Sequence, residues 1–358
     1  MKQTIKTLMI SAILLLVTQF SFAGTTEDLW KALKEANYPN ALTAIAAGAD
    51  VKSVDPSFGT PLYFASGWAD ANVVKALIDA KSDVNYIVSS NGFTPLANAT
   101  AWGNVENTKL LLAAGADIKI KSKLGQPMLA TAIASANLEV VKLLVNAGAD
   151  PNEKYTIYAS KDLTLMNALI GTYDGKGKLT YIQGVATALA KLNVTFPDRI
   201  KNAKESDFSP LEDMAKYLLE KGADPNQKVP GTWGTIIFQA TEFGKTGIVK
   251  ALLDAKVDIE TKGNYVVQLG MYPVTLLQIA AIKGDNEMVE MLCKAGAKVN
   301  YVTVMVKKEV KSDMNYSSYT LTTTEKQTAL SFAGEAKHPD TITLLKKYGG
   351  LGPKEIKK

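Results

Sequence analysis

The sequence predicts an all-α solenoid of about eight or nine helix–turn–helix units joined by β-turn fingers, and three observations predict it. The phrase LLAAGADIK at 111–119 recurs as IAAGADVK, LIDAKSDVN, LVNAGADPN, LLEKGADPN, LLDAKVDIE and LCKAGAKVN. Its glycine position falls at 48, 81, 115, 148, 222, 256 and 296, so the commonest step is 33 or 34 residues. A second phrase keeps the same beat upstream, as GTPLYFA, GFTPLANA, GQPMLATA, GTIIFQA, TLLQIA and TALSFA.

Each part of the unit has a physical reason. Thr60 or Thr94 followed by proline suits a helix start, since the hydroxyl caps and proline is pre-set for the first turn. A short helix then runs to about Trp102, and Gly103-Asn104 turns the chain. The segment VENTKLLLAA carries apolar residues at helical spacing and forms the second helix. Gly115 lies one step past its end, where a left-handed backbone is needed.

The step of 74 residues between 148 and 222 hides further copies. ALAKLNVTFP at 188–197 aligns with LLVNAGADPN at 143–152, so residues 163–196 read as one degenerate repeat and 197–229 as another. The alternative is a single unit with a large insertion between its helices. The fingers at 261–273 and 301–326 are longer than the rest. The second alternates and is rich in Val, Thr and Tyr, which predicts a β-hairpin turning near Lys311–Asn315. As a finger insertion it should lie outside the stacked helices, so deleting 304–323 is expected to spare folding.

The chain opens with Lys2, Lys6, an apolar run from Leu8 to Val17 and Ser21-Phe22-Ala23. Residues 1–23 therefore read as a signal peptide, followed by a repeat domain over 24–350 and a polar tail at 351–358. No later segment is apolar for long enough to span a membrane. Net charge is +5, Arg199 is the single arginine, and the basic residues are spread along the chain, which argues against nucleic-acid binding. Cys293 is the single cysteine, so core burial and not an internal disulfide must stabilise an exported chain.

The two phrases together resemble the ankyrin repeat, with its Thr-Pro-Leu-His and Leu-Leu-x-x-Gly-Ala-Asp signatures, over roughly residues 25–350. The histidine usual in that family is replaced by Tyr63, Ala97, Ala130, Phe238, Gln278 and Ser331. In the family that side chain helps tie the turns by hydrogen bonds, so its loss bears on finger rigidity and not on the fold. The resemblance implies a protein-binding surface, a monomer and no cofactor.

Catalytic chemistry finds little to build on. FGKTG at 243–247 has Gln239 where a phosphate loop needs glycine, and YDGKGK at 173–178 offers a calcium ion one carboxylate, Asp174. His338 is the only histidine, which removes most histidine metal sites and His-based nucleophile activation. Asp50, Asp83, Asp117, Asp150 and Asp224 recur once per unit, as turn-forming residues do. Neither catalytic nor metal-binding residues are expected.

Aromatic residues carry the binding reading. Eight residues after Thr60, Thr94 and Thr235 stand Trp68, Trp102 and Phe243. By the resemblance this position ends the inner helix on the concave face. Trp68 and Trp102 either anchor a partner or seal the gap between inner helices. Phe93 and Tyr86 stand in the adjoining finger, and Tyr316 and Tyr319 in the long one. The expected function is non-catalytic protein binding by an exported, periplasmic chain, as an inhibitor or immunity protein of an exported enzyme. A secreted effector of host proteins and an accessory of a periplasmic stress-defence enzyme are the alternatives.

Overall fold

The computed structural model describes residues 25–157, 160–171, 202, 204, 206, 208–228, 234–267, 270–312 and 318–356. The expected signal peptide, the expected turn at 172–180 and the helix expected at 188–197 lie outside the described residues. The chain divides into two compact units, one of residues 1–150 with 173–209 and one of residues 151–172 with 210–358.

The first unit stacks α1 (Thr26–Lys34) and α2 (Tyr38–Ala46), α3 (Pro61–Trp68) and α4 (Ala71–Asp79), α5 (Pro95–Ala101) and α6 (Val105–Ala113), and α7 (Met128–Ala134) and α8 (Leu138–Asn146). The expected helix starts are present: the Thr60 and Thr94 hydroxyls accept from the Tyr63 and Ala97 amides, with proline in the first turn. The first helix of the pair is the more buried. In α5, every residue from Pro95 to Thr100 is buried, whereas α4 buries Val73, Val74 and Leu77 alone. This follows from stacking, because the first helix is covered by its partner and by both neighbouring repeats.

The second unit holds a short hairpin, β1 (Tyr155–Ile157) and β2 (Ser160–Leu163), then α9 (Leu165–Gly171) and α10 (Leu211–Glu220). α9 lies within 163–196 and α10 within 197–229, the segments read from the sequence either as two degenerate repeats or as one unit with a large insertion between its helices. There follow α11 (Ile236–Glu242) and α12 (Thr246–Asp254), the hairpin β3 (Lys262–Val267) and β4 (Gly270–Thr275), and α13 (Leu276–Lys283) with α14 (Asn286–Lys294). The hairpin β5 (Thr303–Ser312) and β6 (Ser318–Gln327) leads to α15 (Ala329–Glu335) and α16 (Pro339–Lys347). The long finger thus contains an antiparallel ladder, and its turn lies outside the described residues. Two further hairpins occupy fingers read from sequence only as turns or small additions.

The long hairpin is built into the core at its base. Met305 is fully buried, and buried Thr303 donates to the Gln278 side chain at 2.8 Å. Deleting 304–323 therefore removes a core residue, which corrects the expectation that the whole insertion lies outside the stack.

Side-chain amides and His338 join successive turns. The Asn104 side chain donates to the Gly67 carbonyl at 3.4 Å and Asn137 to that of Gly103 at 3.1 Å. His338 Nε2 meets the Ile282 carbonyl at 3.1 Å, and its ring lies where a Cβ on Gly284 would stand. Buried Asn107 donates to the carbonyls of both Ser66 and Ala69 at 3.0 Å. His338 is thus a turn residue.

The repeat's left-handed position is occupied by glycine at Gly48, Gly115, Gly148, Gly222 and Gly296, but by lysine at Lys81 and Lys256, with φ of 68° and 59°. A side chain there costs roughly 1–2 kcal/mol. Lys81→Gly and Lys256→Gly should each stabilise the fold by up to about 1 kcal/mol, after the entropy that glycine adds to the unfolded chain. Chemical denaturation checks this, and a lower midpoint for both would overturn it.

Candidate interaction surface

In the first unit an aromatic ladder crosses the first three repeats. Trp30, Phe64, Trp68 and Trp102 meet in succession, edge to face, at centroid separations of 5.9, 5.3 and 5.1 Å. Phe58 joins Phe64 at 5.3 Å. Lys34 lies 4.9 Å from the Phe58 ring centroid and pairs with Asp55 at 3.1 Å. Burial raises the Asp55 pKa, but hydrogen bonds from the Ser57 amide, the Lys34 ammonium and the Phe58 amide outweigh it and hold the carboxyl below its usual range.

The ladder settles how Trp68 is used. It is 8% exposed and sandwiched between Phe64 and Trp102. The expectation of Trp68 as an exposed anchor is therefore corrected: its ring is core. Trp102 is half-buried, and its ring fills the space a Cβ on Gly67 would take, 2.9 Å away. Phe93 and Tyr86 are also half-buried in their finger.

The same register behaves differently in the second unit. Phe243 caps the C-terminus of α11 and is 59% exposed. The following repeat has exposed Lys283 at this position. FGKTG is here a repeat turn, with Gly244 left-handed and α12 starting at Thr246. Beside Phe243, half-buried Glu242 has its pKa raised by desolvation, which Lys283 only partly opposes.

Sequence reasoning missed a further group. Val266 and Met271 are directly opposite on β3 and β4 and are 60% and 53% exposed. Val304 and Val306 lie on one face of β5 and are 49% and 47% exposed, while Met305 between them is buried. The Tyr272 hydroxyl donates to the Val306 carbonyl at 3.2 Å, which sets β4 beside β5. The usable signal was the alternation in VTVMV, where every second residue had to face away from the core. Tyr316 lies outside the described residues, and the Tyr319 position is on β6, opposite Lys311.

Among the described residues there is no cluster of three or more potential metal ligands, and no helix is long and apolar enough to cross a membrane. Cys293 is half-buried on α14, and desolvation pushes its thiol pKa up to about 11, so at neutral pH it is protonated and a poor nucleophile.

Comparison with known proteins agrees with this geometry. The profile for ankyrin repeats (3 copies) matches residues 29–122 and 208–303, and that for a single ankyrin repeat matches 125–155. Ankyrin repeat and SAM domain-containing protein 6 of Rattus norvegicus is 35% identical over 101 residues, 27% of this chain and 11% of that protein. Ankyrin repeat and KH domain-containing protein CBG24701 of Caenorhabditis briggsae is 27% identical over 187 residues, 51% of this chain and 7% of that protein. The chain thus spans at most 11% of the length of these relatives. The crystal structure of the human ASB11 ankyrin repeat domain superposes with a TM-score of 0.51 at 19% identity, covering 82% of this chain and 99% of that one, which is a likeness of fold.

Proposed function

Since this chain belongs to the ankyrin repeat family, a family of protein-interaction modules, we propose that it is an exported, non-catalytic binding protein that holds a periplasmic protein, as an inhibitor or immunity protein of an exported enzyme. The observation that carries the choice of surface is the exposed apolar group on the adjoining hairpins of the second unit, Val266 and Met271 with Val304 and Val306, with Phe243 exposed separately at the end of α11. Large apolar side chains left in water at neighbouring positions mark interaction sites. A rigid repeat array loses little entropy when it binds, so a few such anchors give useful affinity. The export reading is supported by the charged, apolar and small-residue succession of residues 1–23.

The test compares the parent with a Phe243→Ala, Met271→Ser variant as bait in periplasmic extract. The variant should lose a partner that the parent retains, by tenfold or more in affinity, while the thermal midpoint stays within about 2 °C, because these side chains are exposed. Equal retention by both proteins would move the site elsewhere. Recovery of the chain only from the medium after cell fractionation would favour the effector reading.

A further inference from the structure

The strands β5 and β6 form a two-stranded sheet, and among the described residues no strand pairs with the outer edge of β6. The direction of that edge's polar groups follows from one contact. The Val306 carbonyl accepts from Tyr272 of β4, a partner outside the β5–β6 ladder, which fits a carbonyl turned away from β6. Val306 is opposite Thr324, which makes this a pair whose N–H and C=O groups point outward on both strands. Alternation then turns the backbone groups of Thr320, Thr322 and Thr324 to the free edge.

This edge lacks most of the devices that keep strands apart. SYTLTTTEKQ has no proline, four threonines, and charges confined to Glu325 and Lys326 near its end. It is also complementary to itself. Run antiparallel to a second copy and centred on Thr322, Thr320 faces Thr324, Thr322 faces Thr322, Glu325 faces Tyr319 and Lys326 faces Ser318. No like charges are opposed. The residues whose polar groups point outward oppose one another, so both edges are satisfied in the same register. The pairs are β-branched, which suits a pleated surface.

We propose that two copies of this chain associate through β6, forming a continuous four-stranded antiparallel sheet from two hairpins. This is independent of the partner-binding reading, and it replaces the monomer expected of a solenoid with a two-fold dimer.

The experiment is sedimentation velocity on the purified chain from about 1 to 300 μM, a range chosen because an interface of this size is weak. The parent should pass from monomer to dimer. Thr322→Pro removes an outward N–H and spares the β5–β6 ladder, so it should leave a monomer with unchanged circular dichroism. A charge-swap pair keeps the test decisive if proline disturbs the hairpin. Thr320→Lys with Thr324→Lys sets lysine against lysine in this register and should remain monomeric. Thr320→Glu with Thr324→Lys sets acid against base and should restore the dimer at least to the parent's level. A parent that stays monomeric throughout overturns the proposal. So does a dimer that ignores both substitution sets, or a double-lysine variant that associates as well as the acid–base one.

Discussion

Trp68→Ala should unfold the first unit at a thermal midpoint roughly 10 °C below the parent, corresponding to a loss of about 3–5 kcal/mol. The ring is buried between Phe64 and Trp102 and bridges the second and third repeats. Removing it leaves a void where the first helices of the two repeats meet, and it takes one edge-to-face contact each from Phe64 and Trp102. Trp102→Ala should cost less, since that ring is half-buried. The two losses should not add, because the rings share one contact. Differential scanning calorimetry of both single variants and the double decides the matter. A midpoint for Trp68→Ala within 2 °C of the parent would return Trp68 to the list of surface anchors.

Gln278→Ala should cost about 3–5 kcal/mol, because this side chain is 1% exposed and ends several hydrogen bonds at once. Its amide nitrogen donates to the Tyr301 carbonyl at 3.1 Å and the Gln327 carbonyl at 3.4 Å. Its oxygen accepts from the Thr275 amide at 3.0 Å and from the Thr303 hydroxyl at 2.8 Å. It therefore closes the capping box of α13 and fixes both ends of the long hairpin. Truncation takes a partner from the Thr275 amide and from the Tyr301 and Gln327 carbonyls, while the Thr303 hydroxyl keeps the Pro273 carbonyl at 3.2 Å. Hydrogen exchange should speed up at the bases of β5 and β6, with urea denaturation giving the total cost. Gln278→His restores a ring N–H at the same place and should recover at least half of the loss. Full stability in Gln278→Ala would show that the hairpin is held some other way.

These two residues mark where the sequence was informative and where it was not. Helix positions, caps and left-handed turns were legible because they depend on local chemistry that recurs every 33 or 34 residues. The fate of Trp68 depends on whether the next repeat covers it, which a register cannot say. The available clue was Gly67, whose missing side chain admits the Trp102 ring. Position 278 was read as a histidine lost, although glutamine offers the same kind of donor. Asn167 stands at the equivalent position of α9 and likewise bonds across, to the Gln239 side chain at 2.9 Å. Tyr63 accepts from Asn91 of the next finger at 3.1 Å. The family's tie is thus made by different side chains in different repeats. The hairpin at 155–163 escaped notice because its strands are three and four residues long, too short for a period to register.

The bonds that join one turn to the next have a mechanical consequence. Asn104, Asn137 and His338 each reach back to a carbonyl of the preceding repeat. Within one unit, a tension applied along its stack would be carried by these links in series, so that the weakest of them yields first. Under force each unit should therefore shorten its stack in discrete steps of one repeat. The His338 knob in its Gly284 socket would set the resistance of the last repeat to leave.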